Sequence, residues 1–188
     1  LGDLQRDRGG FDEAILHYNR ALELVSNHEP TLRCNILVSI SILRRWQNHF
    51  YDAASLAEEA VATANAHKLA LEGAMARAAL WIARAFLGEL TSAAHELDLV
   101  ASELQTLHAK TEIVHVLTMH ALVSYLRNDR IHAEGYLLSA SQIAQSGASI
   151  QPLVAEIVHD PFVEIIVPDE TQRPSAVTQR VTQLRKAQ

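Results

Sequence analysis

The sequence predicts an all-α protein in which about four helix pairs stack into a right-handed superhelix with a C-terminal cap. The 188-residue chain holds only 7 glycines and 5 prolines, and 48% of its residues are hydrophobic. That composition favours helices, because alanine and leucine have high helix propensity whereas glycine and proline interrupt helices. Four segments repeat one pattern, and small residues recur within each segment at helical spacing. Short turns between adjacent helices of this kind give a superhelix with a concave and a convex face.

The repeated segments begin at residues 9, 48, 88 and 128, which are 39, 40 and 40 positions apart. They read GGFDEAILHYNRAL, NHFYDAASLAEEAV, GELTSAAHELDLVA and NDRIHAEGYLLSAS. The first column, Gly9, Asn48, Gly88 and Asn128, contains only the two residue types that adopt a left-handed backbone at low cost. It therefore predicts a left-handed turn between the two helices of each pair.

The later columns predict the second helix of each pair and the face on which it packs. The residues that open these helices are Phe11, Phe50, Leu90 and Arg130. Alanine follows three residues later, at 14, 53, 93 and 133, and provides a small side chain where two helices approach closely. Two more columns continue the same stripe: Tyr18, Ala57, Leu97 and Leu137, then Ala21, Ala60, Val100 and Ala140.

This pattern divides the chain into repeats at 1–29, 30–67, 68–108 and 109–146. First helices are expected near 1–8 (truncated), 31–47, 68–87 and 111–127, and second helices near 11–25, 50–66, 90–107 and 130–146. Residues 147–188 contain four of the five prolines and no further copy of the pattern. We expect them to form a cap or linker with a short helix near 151–158 and a last one near 174–187, although the run FVEIIV could instead dock a following domain. The chain starts without methionine and is expected to be a piece of a longer protein.

The pattern resembles the tetratricopeptide repeat. The first copy, LGDLQRDRGGFDEAILHYNRALEL, matches that family from the Leu-Gly of the first helix through the alternating aromatic and alanine positions of the second. Later copies depart from it, with Ser41, Trp81 and Ala121 where the family has glycine. HEAT and armadillo arrays have a similar period but lack this ladder of small residues. The repeats also look like the sensor arrays of large bacterial transcription regulators of the maltose-activator type.

In the tetratricopeptide family the first helices line the concave groove, so the resemblance points to their polar and aromatic residues. A charged side chain on a mostly apolar helix must be paired or solvated, and an anionic ligand would satisfy it. The predicted ligand-binding residues are Arg44, Arg45, Trp46, Arg77, Trp81, Arg84, His120 and Tyr125. The alternative is that these arginines pair with acids on neighbouring helices, such as Glu58, Glu59 and Glu96.

Charge and motifs argue against other classes of function. The net charge is −6, with 3 lysines beside 13 arginines, so we expect no direct nucleic-acid contact. The sequence contains no run of 18 consecutive apolar residues, so it predicts no membrane span, and the expected location is the cytoplasm. Catalytic and cofactor-binding signatures are missing, so we expect neither an enzyme nor a cofactor. Glu112, His115 and His120 gathered around a bound metal would revive the enzyme hypothesis, but no metal site is predicted.

The resemblance therefore implies a non-catalytic scaffold that binds a protein, a peptide or a small effector, as one module of a larger transcription regulator. The alternative is a stand-alone adaptor that holds a partner peptide or helix in the groove. An exposed repeat end would also favour a homodimer. The reading frame around the chain would separate the first two hypotheses, because only the regulator carries nucleotide-binding and DNA-binding domains.

Overall fold

A computed structural model describes residues 10–25 and 28–145, and these residues form seven α-helices and no strand. The helices are α1 (Phe11–Leu24), α2 (Pro30–Trp46), α3 (Phe50–His67), α4 (Ala70–Phe86), α5 (Leu90–Thr106), α6 (Lys110–Leu126) and α7 (Arg130–Gln145). The all-α prediction is confirmed for this part of the chain, and the predicted bounds of the seven helices agree with the structure to within two residues. The helix predicted near 1–8 and the cap predicted over 147–188 lie outside the described residues.

The structural period is half the period that the sequence shows. From α2 onward the helices begin at residues 30, 50, 70, 90, 110 and 130, which is every 20 residues. Each of these helices is 16 to 18 residues long. First and second helices of a pair are thus nearly equal in length, and the repeating structural unit is one helix with its turn.

One left-handed residue ends each helix from α2 to α6. These residues are Asn48, Lys68, Gly88, His108 and Asn128, with φ of 63°, 57°, 108°, 54° and 63°. At the first turn, the Asn48 N–H donates to the Arg45 carbonyl at 3.0 Å and the His49 N–H donates to the Arg44 carbonyl at 2.8 Å. The same two bonds recur at the other four turns, and this Schellman arrangement satisfies carbonyls that a helix end leaves without partners.

The left-handed turn was predicted correctly at Asn48, Gly88 and Asn128, whereas Gly9 lies outside the described residues. Lys68 and His108 were not predicted, because both lie outside the four repeated segments. They occupy the corresponding turn between one pair and the next, and the same two backbone hydrogen bonds close it.

The predicted alanine ladder is buried. Ala14, Ala53 and Ala93 are 0% exposed and Ala133 is 2% exposed. Helices approach closely at such small residues: a Cβ added at Gly73 of α4 would lie 3.5 Å from the Cβ of Ala64 in α3. The other two columns are also mostly buried, with half-buried exceptions at Ala21 and Leu137. Spacing along the helix therefore identified the packed face.

The helices group into two compact units, residues 1–83 and 84–188, with the boundary inside the last turns of α4. In the first unit, α1 and α2 share an apolar cluster around Tyr18 and Ile40, and a second cluster joins Cys34, Ala60 and Ala76 of α2, α3 and α4. In the second unit, α6 packs against both α5 and α7, and 12 of its 17 residues are buried. No helix among the described residues is both long and apolar enough to cross a lipid bilayer.

Substitution of two exposed glycines by alanine measures the free-energy cost of a left-handed backbone without any steric clash of the added Cβ. An added Cβ meets no atom within 4 Å at either Gly88 or Gly135, but only Gly88 has a positive φ, of 108°. Gly88→Ala should therefore lower the free energy of unfolding by about 1–2 kcal/mol through backbone strain alone. Gly135→Ala, inside α7, should raise it by about 0.5–1 kcal/mol. Urea unfolding followed by circular dichroism measures both, and changes of the same sign would contradict the assignment.

The lone cysteine should be chemically inert in the folded protein. Cys34 is 0% exposed, and its thiol donates to the Ala60 carbonyl at 3.5 Å. Burial, with a smaller contribution from Glu72, raises its pKa to about 11. Because the thiolate is the reactive form, only about one molecule in a thousand is reactive at a pH of about 8. A chromogenic disulfide reagent should react slowly with the native chain and rapidly in denaturant; rapid reaction with the native chain would show that the site opens.

Candidate functional site

Three of the predicted groove residues lie together in the last turn of α2. Arg44 is half-buried, and its Nη1 donates to Gln47 Oε1 at 3.1 Å. Gln47 Nε2 in turn donates to Asp12 Oδ1 of α1 at 2.8 Å. Arg44 thus reaches an acid of the neighbouring helix through a glutamine, while the residue as a whole stays partly exposed.

The two residues after Arg44 are packed into the first unit. Arg45 is only 3% exposed, and Trp46 is half-buried with its ring 5.5 Å from that of Phe11 at an angle of 58°. The indole Nε1 of Trp46 is buried and has no hydrogen-bond partner. Trp46 therefore takes part in the packing of α1 on α2, and the side chain of Arg45 presents little surface to a ligand.

The remaining predicted residues lie on α4 and α6. Arg77 and Trp81 of the first unit are half-buried, as are Arg84 and Tyr125 of the second. Among the acids proposed as partners of these arginines, Glu59 pairs with a different one: its Oε1 lies 2.6 Å from Nη2 of Arg33. The half-buried arginines and aromatics keep enough exposure to contact a partner.

His120 has a different environment from the other predicted residues. It is 2% exposed and belongs to a group that we call the His120 cluster, made of Asp98 (α5), His120 and Ser124 (α6) and Tyr136 (α7). His120 Nε2 lies 3.1 Å from Asp98 Oδ1, although the two atoms do not meet hydrogen-bond geometry. The Tyr136 hydroxyl donates to the same Oδ1 at 3.0 Å, and the rings of His120 and Tyr136 lie 3.9 Å apart at 31°.

The charge states of this cluster follow from burial. Removal from water lowers the pKa of His120 below its usual 6.5, and the negative charge of Asp98 opposes that shift. Burial also raises the pKa of Tyr136 to about 12, with a further contribution from its hydrogen bond to Asp98. At neutral pH the cluster therefore holds a neutral imidazole, a neutral phenol and one carboxylate, which is 59% exposed.

The cluster contains serine, histidine and aspartate, but its geometry does not suit nucleophilic catalysis. Ser124 Oγ is 3.4 Å from His120 Nδ1, and Ser124 is only 1% exposed, so a substrate could not reach it. In a catalytic triad the serine faces the substrate and the carboxylate is buried. Here the burial of the two groups is reversed. Among the described residues, no three histidine, cysteine or acidic side chains are grouped to hold a metal ion.

The sequence contains a signal for this cluster that the motif search missed. The positions equivalent to His120 in the two preceding first helices are Ile40 and Leu80, both buried. A histidine in a column of apolar residues needs a polar neighbour, because a buried polar group without one is costly. The two neighbours, Asp98 and Tyr136, lie on other helices, so the pattern of α6 alone does not identify them.

Removal of the Tyr136 hydroxyl tests whether the cluster stabilises the fold. Tyr136→Phe keeps the ring contact with His120 but loses the hydrogen bond to Asp98, and should lower the free energy of unfolding by about 0.5–1 kcal/mol. Tyr51→Phe is the control, because Tyr51 is 79% exposed and should be replaceable without effect. Urea unfolding compares the two variants; equal stability of both would show that the hydrogen bond contributes nothing.

Comparison with known proteins does not identify a family. No family model, no curated protein and no solved structure matches the chain. The tetratricopeptide resemblance therefore stays a prediction, and the function has to be inferred from this chain's own residues.

Proposed function

We propose that this chain is a non-catalytic scaffold of tetratricopeptide-like helix pairs that binds a protein or peptide partner. The supporting observation is that the alanine column of its second helices is constant, while a column of its first helices that is half-buried at residues 44 and 84 varies. Alanine at 53, 93 and 133 is buried in every pair. By contrast, Arg44 of α2 and Arg84 of α4 are replaced at the equivalent position of α6 by Ser124. Repeat proteins keep one framework and vary such positions to recognise partners.

The chemistry of the variable positions favours an acidic partner. Arg44 and Arg84 are half-buried, so a carboxylate that reaches them would be bound where water screens the charges only partly. A guanidinium can also hold a carboxylate by two parallel hydrogen bonds. Half-buried Trp81 and Tyr125 add aromatic surface of the kind that is enriched where proteins bind one another. A peptide that carries aspartate or glutamate beside an apolar residue suits an arginine and an aromatic residue of the same unit, and so does a small anionic effector.

We place this scaffold in a larger bacterial transcription regulator, where partner binding would control domains elsewhere on the chain. A stand-alone adaptor is the second candidate, since it would use the same surface. The coding sequence on either side separates them. A nucleotide-binding domain or a helix-turn-helix encoded in frame supports the regulator, and a short frame without either supports the adaptor.

Selection from a random peptide display library on the immobilised chain tests the proposed surface. We expect the recovered peptides to be acidic and to bind Arg44→Glu and Arg84→Glu at least about tenfold more weakly, because a charge-assisted hydrogen bond contributes about 1.5–3 kcal/mol. Arg20→Glu is the matched control, since Arg20 is an exposed arginine on α1. Circular dichroism first establishes that each variant keeps its helix content.

Two results would overturn the proposal. One is the failure to recover any peptide that binds the wild-type chain. The other is recovery of peptides whose affinity is the same for the wild type and for both glutamate variants, which would place binding on another surface.

A further inference from the structure

The His120 cluster joins three helices of the second unit, α5, α6 and α7. His120 of α6 contacts Asp98 of α5 through Nε2 and stacks on Tyr136 of α7. Tyr136 and Asp98 are also joined directly by a hydrogen bond. One buried ring is thus part of the packing of α6 on both of its neighbours.

The groups around the His120 ring determine the electrostatic environment of its protonated form. The titratable groups that face it are Asp98 from α5 and Tyr136 from α7, and its own helix contributes the uncharged Ser124. Asp129 and Arg127, in the turn between α6 and α7, act on Tyr136. Among the residues that the structure describes, the formal charge in direct contact with the ring is the carboxylate of Asp98, which is 59% exposed.

We propose that His120 is a pH-sensitive switch: the neutral ring holds α5, α6 and α7 together, and a proton on the ring loosens the packing of α7 on α6. The contact with Asp98 favours the tautomer that carries its hydrogen on Nε2. A second proton must then enter at Nδ1, which is buried with the rest of the ring and lies 3.4 Å from the Ser124 hydroxyl. The charged ring would lie against Tyr136 with little access to water, and separation of α7 would hydrate it.

The direction of the pH effect follows from linkage. Because burial lowers the pKa of His120 below 6.5, the opened state binds the proton more tightly than the packed state. The stabilisation by the neutral ring is complete above a pH of about 6.5 and is lost as the pH falls toward the pKa of the packed state. One proton can change the opening equilibrium by at most about tenfold per pH unit. This switch is independent of the peptide-binding surface proposed above.

Hydrogen exchange of the whole chain tests the switch. Exchange of the α7 amides is compared at pH values of about 7.5 and about 5.5, after correction for the intrinsic pH dependence of exchange. We expect opening of α7 to increase several-fold at the lower pH, while α2 and α3 serve as an internal reference. His120→Leu introduces the residue found at the equivalent position 80, and should abolish the increase. His95→Leu, which replaces an exposed histidine on α5, should keep it.

The same pH response in His120→Leu as in the wild type would overturn the proposal. If that variant does not fold, proton NMR of the His120 ring in the wild type decides the question. We expect its titration midpoint below 6.5, and lower still in Asp98→Asn, since the charge of Asp98 raises the pKa. A midpoint at or above 6.5 in the wild type would show that the packed state accepts the proton, and the switch would not exist.

Discussion

Each helix from α2 to α6 ends on one left-handed residue, and the turn built on that residue determines where the next helix begins. Two backbone hydrogen bonds close each turn, the next helix begins two residues after the left-handed one, and successive helices begin 20 residues apart. Residues 40 positions apart consequently occupy equivalent places in successive pairs. Ala53, Ala93 and Ala133 can all serve helix packing for this reason. An insertion of one residue in a helix would rotate every later position by about 100° and bury polar residues instead.

While the packing positions stay constant, other positions vary. Some of these variable residues are partly exposed to solvent, and others are buried. Arg44 and Arg84 are half-buried and can meet a partner, as the proposed scaffold requires. Arg45 and His120 are buried, so their polar groups act inside the protein. Their effect on function would come through stability and packing.

His120 shows what a polar substitution in an apolar column requires. Ile40 and Leu80 fill the equivalent space without any need for a polar partner. The histidine needs two changes on other helices, Asp98 near its Nε2 and the Tyr136 ring against its face. An apolar residue would avoid the cost of burying a polar ring. A dependence of the packing on protonation is a property that isoleucine and leucine could not provide.

Local physical chemistry was enough for the sequence to determine the helical class, the bounds of the described helices to within two residues, and the turns at Asn48, Gly88 and Asn128. Those features depend on helix propensity, on apolar spacing and on the low cost of a left-handed glycine or asparagine. Tertiary structure alone decided that Arg45 is buried and that Asp98 contacts His120. These features depend on which faces of neighbouring helices meet and how closely, and the spacing of residues along a single helix does not contain that information.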